Sequence, residues 1–122
     1  MDFSKKQWYD ISPIEVKTPT GTKTVSRFHC NGIEPTLNLV FENPEGKVYE
    51  LDCTFNHPLR TKDGEWIEAE NITEEHVFDN EYRLVSSLVN NYDVPTFDIE
   101  VPEEHCYILE SGIVSHNTAL LM

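Results

Sequence analysis

The chain has 122 residues, 22 of them acidic and 9 basic, for a formal net charge of −13. That length holds one domain with a modest core, and the charge repels nucleic acid while favouring a basic protein partner within the ~8 Å reach of electrostatics at physiological salt. No apolar run is long enough for a transmembrane helix, and the N-terminus Met1-Asp2-Phe3-Ser4-Lys5-Lys6-Gln7 lacks a signal core, so a cytoplasmic protein is expected.

Residues 1–10 carry Trp8 and Tyr9 among polar residues and run straight into a strand pattern with no hairpin partner in front. They read either as a tail or as the neighbour of a strand that is missing. Further along, Ile14–Thr18, Thr24–Cys30, Thr36–Glu42, Val48–Asp52, Thr96–Val101 and Cys106–Leu109 are rich in β-branched and aromatic residues with partial alternation. Turn signals punctuate the chain at Pro19-Thr20-Gly21-Thr22, Asn43-Pro44-Glu45-Gly46, Lys62-Asp63-Gly64-Glu65 and Glu110-Ser111-Gly112. Only Glu74–Val77 and part of Leu84–Asn90 invite a helix. The pattern is all-β, built from hairpins, with no repeat and no low-complexity segment. Cys30, Cys53 and Cys106 are an odd set without Cys-x-x-Cys spacing, which argues against a disulfide framework and against zinc.

Chemistry-bearing residues gather in three short stretches. Thr54-Phe55-Asn56-His57 follows a strand, and its hydroxyl and imidazole can converge on one polar atom if the chain bends between them. Asp98 and His105 flank a Pro-Glu-Glu turn that can set them on adjacent antiparallel strands. Val114-Ser115-His116-Asn117-Thr118 lies near the end of the sequence. There the Asn117 amide can attack its own backbone carbonyl, close a succinimide and break the bond to Thr118. The Thr118 hydroxyl can accept an acyl group, and His116 can move protons. A threonine hydroxyl and an amide nitrogen are weak nucleophiles, so both need coupled proton transfer and fixed donors for the developing oxyanions. Taken singly, each residue has a plain explanation as a turn or surface residue. Asp98, His105, His116 and Asn117 all fall within twenty residues, which favours a joint site.

Together these motifs resemble the inteins, the self-splicing elements with the Hint fold, over residues from about 14 to 118. Thr54-x-x-His57 resembles the motif of their first half. Asp98 through Tyr107 resembles the penultimate motif, and Ile113-Val114-Ser115-His116-Asn117-Thr118 the terminal one with the first downstream residue. The resemblance implies an all-β, Hint-type hairpin horseshoe without a cofactor or metal. It implies that Thr54 and His57 polarise an upstream scissile peptide and that Asp98 assists proton transfer. Thr118 then takes the acyl group, and His105 and His116 help Asn117 cyclise, one activating the amide and the other serving the carbonyl oxygen or leaving group.

Two departures shape the expectation. No Cys- or Ser-led segment with Gly-Asp precedes Ile14. The expected form is therefore the C-terminal piece of an atypically split intein, incomplete without a short, basic N-terminal intein fragment, with residues 1–30 only partly ordered before that fragment binds. Residues 58–97 are too few for an inserted endonuclease. Residues 1–117 are then the splicing domain and 118–122 the start of the downstream host, whose Thr118-Ala119-Leu120-Leu121-Met122 resembles the helix after the phosphate loop of a P-loop ATPase. Two other classes compete: an acidic β binding module for a basic protein, and a hedgehog-like autoprocessor of the same fold, which commonly lacks the pairing of terminal Asn with a downstream hydroxyl.

Overall fold

The computed structural model of the chain describes residues 6–91, 94–101, 105–116 and 120–121. Two antiparallel sheets account for nearly all of it. In the large sheet, β1 (Lys6–Thr18) and β2 (Gly21–Glu34) form a long hairpin closed at Thr18↔Gly21. Its register breaks between Asp10 and Ile14, where Pro13 has no N–H to give to the ladder. Residues 6–30, expected to be only partly ordered in isolation, lie within this hairpin.

Next come β3 (Thr36–Glu42) and β4 (Val48–Thr54), which pair over their full length. The turn between them is built by Asn43, whose side-chain oxygen accepts from the Glu45 N–H at 3.0 Å and the Lys47 N–H at 2.9 Å. This is the Asx geometry that the Asn-Pro-Glu-Gly signal predicts. The small sheet begins with β5 (Pro58–Arg60) and β6 (Trp66–Glu68), joined by the tight Lys62–Glu65 turn. Two short 3-10 turns, Ala69–Asn71 and Asp79–Glu81, lead back to the large sheet and β7 (Arg83–Val89). The later strands are β8 (Val94–Ile99), β9 (Cys106–Ile108), β10 (Val114–His116) and β11 (Leu120–Leu121). The large sheet runs β1-β2-β8-β11-β4-β3-β7 and the small sheet β6-β5-β10-β9.

Neither helical expectation holds. Glu74–Val77 is a turn held by the His76 N–H on the Thr73 carbonyl, and Arg83–Val89 is an edge strand paired with β3. The ladder to β3 decides the second case. Leu84 is buried against the core, while β-branched Val85 and Val89 stand on the pleat, where they are better placed than in a helix.

The core lies under β3 and β4 and extends beneath the small sheet. Alternation on β3 sends Leu37, Leu39 and Phe41 inward, and Phe41 meets Phe78 edge to face at 5.4 Å. Leu59, Ile113, Val101 and Tyr107 fill the other side. Among the described residues, no helix is long and apolar enough to cross a membrane.

The turn between β9 and β10 depends on one glycine. The Gly112 N–H donates to the Leu109 carbonyl and the Leu109 N–H to the Ile113 carbonyl, both at 2.9 Å. Gly112 has φ +98°, and a Cβ there would meet Nδ2 of Asn80 at 2.2 Å. That nitrogen is itself committed to the Ser111 carbonyl at 2.7 Å. Gly112→Ala is therefore expected to lower stability by at least about 1–2 kcal/mol. A urea unfolding curve should show a lower midpoint at unchanged slope. Adding Asn80→Ala should recover only the part that comes from the contact.

A candidate active site at the sheet crossings

The chain passes between its two sheets at three neighbouring places. β4 of the large sheet leads into β5 of the small one through Thr54–His57. β8 leads into β9 through residues 100–105, and β10 returns to β11 after His116. The strands at these crossings are adjacent in both sheets, as β8-β11-β4 on one side and β9-β10-β5 on the other. The described residues of the three motifs singled out in the sequence border these three crossings.

The first crossing is a tight turn. The His57 N–H donates to the Thr54 carbonyl at 3.1 Å, which bends the chain as the Thr-x-x-His spacing requires. The following 3-10 turn clamps it: the Ala69 N–H donates to the His57 carbonyl at 2.8 Å and the Glu70 N–H to the Phe55 carbonyl at 2.9 Å. Thr54 is buried, and its hydroxyl donates to Oδ1 of Asn56 at 3.1 Å. His57 is 0% exposed, and its Nε2 lies 2.7 Å from Oγ of Ser115, which is also 0% exposed. Residues 58 apart in sequence thus share a buried hydrogen bond, directly before the terminal motif.

His116 follows Ser115 on β10. It is partly buried, and its ring stands edge-on to Trp66 with centroids 5.6 Å apart. It also feels the charge of Asp98 on β8. Asp98 pairs with His29 in the β2–β8 register. Burial pushes its carboxyl above the ordinary range, while a hydrogen bond with Asn31 and the nearby His29 and His116 pull the other way. One carboxylate oxygen is buried with no hydrogen-bond partner among the described residues.

The sequence candidates divide accordingly. Thr54 and His57 sit together at the first crossing, His57 reaches β10, and His116 and Asp98 are electrostatically linked. His105 is exposed, with a left-handed backbone at φ +56°, one residue beyond the last β9–β10 pair, Cys106↔His116. No described contact joins it to Asp98 or His116. Asn117 and Thr118 lie outside the described residues. Several contributors carry no motif signal. Ser115 reads as an ordinary strand serine, and His29 and Asn31, bonded through Nδ1 and Oδ1 at 2.7 Å, lie on a strand far from every motif. Tyr107, opposite Ser115 in the register, has its phenol held above the ordinary range by burial. Cys53 beneath the site is no ready nucleophile, since burial pushes its thiol to about 12.

The fold is that of the solved inteins. The VidaL intein superposes with a TM-score of 0.71 at 24% identity, over 87% of this chain and 71% of that one. A DnaB intein from Synechocystis sp. PCC 6803 gives 0.64 at 19% identity, over 89% and 80%. A consensus engineered intein, Cat, with an atypical split site gives 0.62 at 26% identity, over 85% and 81%. No family model and no curated protein sequence matches the chain. The all-β architecture expected from the turn and strand pattern is thus the intein Hint fold.

The state of Asp98 makes a pH prediction. A carboxyl raised in the folded state holds its proton through a window that opens at the unfolded value of about 3.9, so stability falls as pH rises across that window. Asp98→Asn stays neutral throughout. Melting temperatures measured against pH should converge for the two chains in acid, and the variant should become the more stable one as pH rises. Parallel curves would rule out a raised Asp98.

Proposed function

We propose that the chain is an intein that splices in trans. Residues 1–117 act together with a short, basic N-terminal intein fragment on a separate polypeptide, and 118–122 begin the downstream host sequence. The observation that carries this reading is the buried His57–Ser115 contact, which sets the Thr54-x-x-His57 turn against the strand leading into His116-Asn117-Thr118. A binding surface has no use for a fully buried imidazole–hydroxyl pair between two sequence-distant motifs, whereas two coordinated cleavages do.

The steps follow from residue chemistry. A Cys or Ser at the start of the partner fragment attacks the carbonyl before it, turning that peptide into an ester or thioester and freeing an amine. Thr54 and His57 polarise this bond, and Asp98 assists the proton transfers. The Thr118 hydroxyl attacks the ester carbonyl and displaces the partner's side chain, giving a branched intermediate. The Asn117 side-chain nitrogen then attacks its own carbonyl carbon, closes a succinimide and expels the Thr118 amine, with His105 and His116 sharing the base and acid roles. That amine attacks the neighbouring ester carbonyl, and an ordinary peptide bond results. None of these steps calls for a cofactor.

Two further features support a partner in trans. β7 is an outer strand of the large sheet, with Val85, Leu88 and Val89 exposed, an edge suited to strand addition. The charge of −13 favours fast capture of a basic fragment. For the host, Thr118-Ala119-Leu120-Leu121-Met122 is read as the helix start of a P-loop ATPase.

Mixing the chain with N-terminal intein fragments of the split-intein type should yield a ligated flank product and a free fragment ending in succinimide, both visible by intact mass. Asn117→Ala should block excision yet accumulate the branched species; normal ligation by that variant would overturn the mechanism. His57→Ala should slow the first acyl shift by roughly 10²–10⁴-fold. Full amide-exchange protection of β7 and the β1–β2 hairpin in the isolated chain, unchanged by the partner, would argue against a strand-adding fragment.

A further inference from the structure

Three side chains meet on one face of the large sheet beside the second crossing. His29 on β2 stands directly opposite Asp98 on β8. Asn31 lies two residues further along β2, which returns it to the face of His29. The ladder slips here: Asn31 and Gly32 together face Thr96 between the pairs Cys30↔Phe97 and Ile33↔Pro95, and Gly32 has φ +76°. The bulge leaves Asn31 without an opposite residue of its own on β8, so its side chain can reach back along the strand. Oδ1 of Asn31 lies 2.7 Å from Nδ1 of His29, and a hydrogen bond joins Asn31 to the Asp98 carboxyl. An amide suits both contacts, with an oxygen on one side and an NH2 on the other, and the NH2 is the end that serves a carboxylate. Behind His29 the Trp8 ring stands edge-on, with centroids 4.9 Å apart.

We propose that Asn31 is a positioning residue for Asp98: braced against His29, its amide fixes the carboxyl group in the site. The residue type fits the task. A carboxyl that moves protons must be held in place yet stay able to gain and lose its own. A lysine or arginine partner would hold it ionised, whereas an amide adds a hydrogen bond and no net charge. Oδ1 of Asp98 keeps no hydrogen-bond partner among the described residues, which leaves it for the reacting groups. The charged or titratable groups that Asp98 feels are His29 and Glu34 from β2 and His116 from β10. Arg27 and Glu100, further along the same face, hold one another at 3.2 Å. The catalytic consequence rests on the splicing function proposed above; the hold on Asp98 does not.

The hold can be read on the full chain without any splicing. In 13C- and 15N-labelled protein, the Asp98 carboxyl carbon gives its titration midpoint, and the Asn31 side-chain NH2 signals should move through that same midpoint. Asn31→Ala should shift the Asp98 midpoint upward, because the amide favours the ionised form. Asn31→Gln, which keeps the amide on a longer stem, should return it part of the way. NH2 signals that ignore the Asp98 transition overturn the proposal, and that reading needs no variant to fold. An Asp98 midpoint unmoved or lowered in the alanine chain overturns it as well. In a splicing mixture with a Cys-led fragment, Asn31→Ala should slow the thiol-induced upstream cleavage by about 10-fold, a part of the 10²–10⁴-fold that a well-placed proton-transfer group supplies. In an Asp98→Asn background the same change should cost nothing further; additive losses would place the action of Asn31 elsewhere and overturn its positioning role. An Asn31 that tracks Asp98 in a chain that never splices would sink the splicing reading and leave the role of Asn31 intact.

Discussion

Of the four places where the chain changes sheet, three are neighbours, and there the strands keep the same order on both sides of the change: β8, β11 and β4 in one sheet, β9, β10 and β5 in the other. A strand that leaves one sheet for another must bend. At the bend its backbone groups leave the ladder and need other partners. The first crossing finds them in the 3-10 turn at Ala69–Asn71, whose N–H groups bind the Phe55 and His57 carbonyls. The crossings are thus both the irregular points of the fold and the places where polar side chains can turn inward without breaking a sheet. The His57–Ser115 bond exists because β5 and β10 are neighbours just past two such bends.

Burial gives the site its chemistry. His57 and Ser115 lie out of water, so the hydrogen bond between them is made without competition from bulk solvent. Asp98 is partly withdrawn from solvent, and the desolvation of its charged form outweighs the help of Asn31, His29 and His116. A carboxyl in that condition keeps its proton to higher pH than an exposed one. Cys53 is driven the other way from reactivity by the same burial. Desolvation thus quiets the thiol beside the crossings and raises the carboxyl within them.

The periphery is as polar as the crossings are dry. Acidic side chains dominate the surface, while the apolar exposure on β7 is confined to an outer strand whose one sheet neighbour is β3. Long-range charge and a short apolar edge act over different distances, and in the proposed trans-splicing they would serve capture and then strand pairing.

Local residue patterns determined much of this protein. Turn chemistry at Asn43 and the alternation of Leu37, Leu39 and Phe41 each have a local cause, so the β3–β4 hairpin and its buried face were legible in the sequence. The Thr54-x-x-His57 turn was legible for the same reason, because a three-residue spacing closes through one backbone hydrogen bond. The helical pull at Leu84–Asn90 misled because an edge strand with one buried residue carries little periodicity, and only the ladder to β3 decides it. Ser115, His29, Asn31 and Tyr107 were not legible, since a serine or asparagine in a strand acquires a role only from what packs across from it. The sequence by itself determined which residue types were present and where the chain would turn. The tertiary structure alone decided that three separate turns become neighbouring crossings, because strand order in a sheet is set by long-range pairing and not by any local preference.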